Sequence, residues 1–163
     1  SDKFSYKVLE NFNYCWDNNN IVYEDTNSKD TALFVSSHKY IISPILNAFC
    51  NNVNEQTELA KIGYCCKHYL IKVPNKSKKN IQYYSIEINI LSNIKSHAPI
   101  TSKIEELKKQ DYAIIDIISE APVMCLVFVE ADYLVAVTYN MFYDFDDVLS
   151  FSKFFVKEHF STK

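Results

Sequence analysis

Apolar residues at Phe4, Val8, Leu9, Phe12 and Trp16 recur at steps of about three and four. That spacing predicts a helix over residues 3–16. The polar run DNNN ends it. Two short β-like runs, 21–25 (IVYED) and 32–36 (ALFVS), flank the turn TNSKD. They predict a hairpin, unless the second run opens the next helix. Ser43 and Pro44 then stand at cap and first-turn positions of a helix over 43–53. Its stripe is Ile45, Leu46, Phe49 and Val53. A further helix is predicted over 54–73, capped at Asn54, with Glu55 at its positive end. Leu59, Ile62, Gly63, Cys66 and Leu70 fall on one face of it. Pro74 and the polar run NKSKKN stop it.

The pattern changes after residue 80. Ile86, Ile88 and Ile90 alternate with Glu87 and Asn89, which predicts a strand over 81–91 with one wet face. Ser102 and Glu105 have capping-box spacing, so a short helix is predicted there. The run 111–119 (DYAIIDIIS) is strand-like. Two apolar runs parted at 130–132 (EAD) predict an antiparallel hairpin. The chain then ends in a predicted helix, capped by Asp144, Asp146 or Asp147, with Val148, Phe151, Phe154 and Phe155 as its buried stripe.

These elements predict one α+β domain over 1–163. Its N-terminal half, 1–75, is expected to be helical, and its C-terminal half, 80–163, strand-rich. The sheet is expected to be mainly antiparallel, to lie in the C-terminal half and to be covered by helices.

Composition narrows the function. Of 163 residues, 48% are hydrophobic and 15% aromatic, enough for a core. The bias to Asn, Ile, Tyr and Lys follows AT-rich codons, which lowers the weight of any single Asn or Lys. A net charge of −3 with no arginine gives no basic stripe for nucleic acid. The absence of arginine also removes bidentate phosphate or carboxylate clamps. One glycine removes glycine-rich phosphate loops. No apolar run reaches about 18 residues, so no transmembrane helix is expected. No signal-peptide core is read at the N-terminus. The cysteines Cys15, Cys50, Cys65, Cys66 and Cys125 are odd in number and scattered. They predict reduced thiols in the cytoplasm.

The densest chemistry lies in 62–70 (IGYCCKHYL), which holds the one glycine beside Cys65, Cys66 and His68. On a helix Cys65 and His68 would be neighbours, able to share a metal or act as a thiol pair. Adjacent cysteines would diverge by about 100°, and no second close ligand pair completes a zinc set. A mid-helix thiol also gains little from the helix dipole. Core packing is therefore preferred for all three, and no cofactor or metal is expected. The acidic group Asp144, Asp146 and Asp147 has a cation reading and a simpler capping one. No GxSxG or HExxH signature appears. Asn140, Met141, Phe142 and Tyr143 form a candidate protein interface, because exposed aromatics are enriched at such surfaces.

The segment 123–160, with apolar runs at 123–129 and 133–139 and the helix pattern at 148–160, resembles the end of a longin, or SNARE-like, domain. It is also similar to the strands-then-helix ending of GAF or roadblock-type domains. The longin resemblance implies a non-catalytic intracellular module acting through a protein partner, self-association included, in trafficking or assembly. The GAF resemblance implies a small-ligand sensor. A thiol-dependent enzyme using Cys65 and His68 is the third expectation.

Overall fold

The computed structural model describes residues 4–17, 20–23, 54, 64–75, 83–92, 101–116 and 122–160. Among the described residues seven strands make one sheet: β1 Lys7–Asp17, β2 Asn20–Tyr23, β3 Tyr64–Pro74, β4 Tyr83–Leu91, β5 Ala113–Asp116, β6 Val123–Glu130 and β7 Tyr133–Asn140. Among the described residues two helices accompany them, α1 Thr101–Lys108 and α2 Phe145–Phe160. The strand order is β2-β1-β3-β4-β7-β6-β5. Every neighbouring pair is antiparallel. The protein is thus α+β with an antiparallel sheet. No helix among the described residues is long and apolar enough to cross a membrane.

The predicted helical N-terminal half is corrected at two places. The segment read as a helix over 3–16 is mostly β1, and the second half of the helix read over 54–73 is β3. The sheet is therefore not confined to the C-terminal half. In β1 the cause is a bulge. The register with β3 slips between Val8 and Glu10, leaving Leu9 without a partner position. One extra residue breaks the two-residue alternation of a strand and imitates helical steps of three and four. In β3, Lys67 and Lys72 interrupt the apolar positions, while the strand-typical Tyr69, Ile71 and Val73 alternate and are buried.

The strand expected near 21–25 is present as β2, paired with β1. Residues 32–36, the helix over 43–53 and positions 55–63, with Gly63, lie outside the described residues. The strands near 81–91 and 111–119, and the hairpin around 130–132, appear as β4, β5 and β6–β7. α1 opens at Thr101, ahead of Ser102, its predicted cap.

Ala131 and Asp132 join β6 to β7, whose end residues Glu130 and Tyr133 pair. Ala131 has φ of 53°. A positive φ at the first loop residue suits the primed turns that match strand twist. Glycine usually fills that position, because a Cβ there costs about 1 kcal/mol or more.

Both faces of the central sheet are buried. On the first, Ile71, Ile86, Ile88, Leu126, Val135 and Val137 pack in one cluster with Val148, Phe151 and Phe155 of α2. The α2 residues sit at helical steps of three and four, so they form one stripe. Tyr69 meets Phe155 edge-on at 5.6 Å, and Tyr6 meets Phe151 at 5.4 Å. Ser152 is buried on the same stripe and donates to the Val148 carbonyl at 2.6 Å.

On the second face, Cys66, His68, Asn89, Leu91, Cys125, Leu134 and Ala136 are buried. The wet face expected for β4 is present in its first half, where Tyr83 and Ser85 are exposed and Glu87 is half-buried, and is corrected in its second half, where Asn89 and Leu91 are buried. Polar residues in that strand satisfied an alternation rule while facing a packed interior.

Candidate functional site

The β7–α2 connection, where the candidate interface was placed, is tied down at nearly every residue. The side-chain oxygen of Asn140 accepts from the Phe142 amide at 2.9 Å, a local Asn-turn. The Tyr143 amide donates to the Asn140 carbonyl at 3.0 Å, and the Met141 amide to the Pro122 carbonyl at 2.8 Å. One residue on, Asp144 Oδ1 accepts from the Asp147 amide at 3.1 Å. Among the three aspartates, Asp144 is therefore the cap of α2. Asp146 and Asp147 lie in the first turn, Lys157 and His159 in the last, as the helix dipole favours.

Long-range contacts fix the same turn from β4. Tyr143 lies 4.7 Å from the Tyr84 ring, and its hydroxyl accepts from the Ser85 amide at 3.2 Å. The Tyr84 hydroxyl donates to Asp147 Oδ2 at 2.8 Å. Asn140 and Tyr143 thus form the frame. Met141 and Phe142 point outward, 52% and 75% exposed. At the same end of the sheet Tyr83 is also exposed, with the Lys72 ammonium 4.1 Å above its ring.

The cysteine–histidine stretch is rearranged by the change from helix to strand. Cys65 and His68, three apart, hold strand positions on opposite faces of the sheet instead of sharing one helical turn. Cys65 stands opposite Cys15 in the β1–β3 register. Cys66 and His68, two apart, share the second face. His68 pairs in register with Asn89. Asn89 Oδ1 lies 3.0 Å from His68 Nδ1 and 3.7 Å from Cys66 Sγ. A carbonyl oxygen only accepts, so Nδ1 carries the proton of this bond. Both His68 and Cys66 are buried.

Nearby, burial pushes the Cys125 thiol up to about 12. The Thr138 side chain and Val137 backbone oppose that shift without cancelling it. The Thr138 hydroxyl favours the thiolate but lacks the geometry of a full hydrogen bond. A thiol held so high is almost wholly protonated at neutral pH, and thiolate is the nucleophilic form. Among the described residues no three His, Cys, Asp or Glu side chains gather as metal ligands. Iodoacetamide at pH 8 is expected to leave Cys66 and Cys125 unmodified in the native protein and to label both in denaturant. Peptide mass spectrometry reads each site. Fast native labelling of either would contradict this burial.

The contacts that position the turn had no local sequence signal. Tyr84 and Ser85 lie far from Tyr143 in the chain, and only the β4–β7 pairing brings them together. Fold and turn together define a class: an α+β protein whose antiparallel sheet presents a fixed turn with an outward aromatic. Comparisons with protein-family models, curated proteins and solved structures find no match, so no relative's residues can be carried over to these positions.

Proposed function

We propose that this protein acts without catalysis, by contact with another protein through the turn at Met141 and Phe142. The observation that carries the reading is the 75% exposure of Phe142 on a turn whose neighbours are all hydrogen-bonded. An exposed aromatic already held in place loses little conformational freedom on binding, and such anchors dominate interface energetics. Met141 adds an adaptable apolar contact beside it. A net charge of −3 and the absence of arginine favour a protein partner over nucleic acid. The resemblance to longin-type modules supports an intracellular role in trafficking or assembly. It also supports a single domain with helices over the sheet. The partner is a second copy of the chain or a distinct protein.

A photo-crosslinking residue at position 142 tests this. It is expected to give one discrete adduct, with the chain itself in purified solution or with one protein in the source cell. Phe142→Ser is expected to weaken the association by about 2 kcal/mol or more, the hot-spot scale. Its unfolding midpoint should stay unchanged, because the ring buries little. No adduct in either setting would sink the proposal.

A further inference from the structure

Cys15 and Cys65 lie far apart in the chain but are directly opposed in the β1–β3 register. Directly opposed residues of antiparallel strands have Cα atoms about 4.5 or 5.5 Å apart, depending on the hydrogen bonding of the pair. A disulfide spans Cα separations of about 4.4–6.8 Å. The register therefore brings the two backbone positions within bridging range in either case. The pairing belongs to an unbroken run, from Glu10 with Leu70 to Trp16 with Tyr64, on one side of the bulge.

Among the described residues no other cysteine has this placement. Cys66 stands opposite Tyr14 on one side and Leu91 on the other. Cys125 stands opposite Ile115 and Thr138. Both of these thiols are buried. Cys65 and Cys66 hold neighbouring strand positions, which belong to opposite faces of the sheet. The doubled cysteine is thus divided. Cys66 goes to the packed second face with His68 and Asn89, and Cys65 takes the position opposite Cys15.

We infer that Cys15 and Cys65 are a redox-active pair, which closes to an intramolecular disulfide under oxidising conditions. One S–S bond forms between the two Sγ atoms. A small disulfide such as oxidised glutathione takes up the two electrons and both thiol hydrogens, and leaves as two thiols by way of a mixed disulfide. In a reducing compartment the pair rests as thiols. Cysteine pairs that oxidise there act in redox sensing and not as fixed staples. Cys15 is also paired with Val22 of β2. A bridge at this position therefore ties the β1–β2 edge of the sheet covalently to β3. It closes a loop of about 50 residues, and cross-links over long loops constrain the unfolded chain most. The inference goes beyond the interaction surface at Phe142, and its failure would leave that reading untouched.

Incubation of the full chain with oxidised glutathione, then alkylation in denaturant and non-reducing peptide mass spectrometry, tests the assignment. The expected product is a monomer lighter by about 2 Da, the two thiol hydrogens, with one cross-link joining residues 15 and 65. Fragment ions distinguish Cys65 from Cys66. Cys66 and Cys125 are expected to be recovered alkylated. The oxidised chain is expected to unfold at a higher urea midpoint than the reduced chain. Cys65→Ser should abolish both the cross-link and that difference, and Cys66→Ser should keep both. Mapping of the unsubstituted chain decides the matter if Cys65→Ser fails to fold. Absence of the cross-link with or without glutathione adducts, a bridge from Cys15 or Cys65 to any other cysteine, or an equal or lower midpoint on oxidation would each overturn the assignment.

Discussion

Phe151→Ala is expected to lower stability by about 3–5 kcal/mol, the usual range for removing a buried phenylalanine ring. Phe151 is 1% exposed and sits mid-way along α2. Its ring meets Phe4 at 5.9 Å, Tyr6 at 5.4 Å and Phe155 at 6.2 Å. It thus joins three groups: the segment before β1, the helix and the first sheet face. Truncation removes its transfer energy and leaves a cavity that rigid strands cannot collapse into. Domains of this kind are stable by only about 5–15 kcal/mol, so the variant should unfold at a much lower denaturant midpoint. Urea or guanidinium unfolding reads the change. A loss below about 1 kcal/mol would mean that α2 does not pack on the sheet as described. Phe142 gives the contrast, because it is also a phenylalanine but supports nothing.

Asn89→Leu is expected to cost about 1–3 kcal/mol, through the buried hydrogen bond it removes from His68. Asn89 is fully buried, at the centre of the second face, and its Oδ1 serves both His68 and Cys66. Its own Nδ2 has no hydrogen-bond partner among the described residues. Losing that orphaned donor offsets part of the cost. His68→Leu should be destabilising for the same reason, since it leaves the Asn89 oxygen with only the weak Cys66 thiol donor. The double variant His68→Leu with Asn89→Leu should recover stability relative to the sum of the two, by about 0.5–3 kcal/mol. Apolar replacement of both partners removes the polar burial along with the bond. Strict additivity in that cycle would show that the two side chains do not interact.

The elements readable from sequence were those with an undisturbed period. β4 carries Ile86, Ile88 and Ile90 at alternate positions, β6 and β7 carry long apolar runs, and α2 carries Val148, Phe151 and Phe155 at clear helical steps with Asp144 before them. β1 and β3 were misread for local reasons: the bulge at Leu9, and lysines set among buried positions. The position of the outward turn could be picked out from its cluster of aromatics. The division of labour within it could not, because Tyr143 is turned inward by Tyr84 and Ser85 of another strand. The Cys66–His68–Asn89 group was hidden because helical spacing had paired His68 with Cys65. The pairing of Cys15 with Cys65 was hidden because a helix reading of both segments gives no register between them.

The join between β4 and β7 has a kinetic consequence. These strands sit side by side at the middle of the sheet, yet the chain runs through residues 92–132 between them. As the chain leaves the ribosome, strands β1 to β4 emerge first, with the outer edge of β4 unpaired and its isoleucines uncovered. Only when the β6–β7 hairpin and α2 follow can that edge be closed and that face be buried. Such distant pairings place folding in the slow regime of β-rich topologies, milliseconds to seconds. A half-sheet waiting for its second half is the species most exposed to pairing with a neighbour's strand.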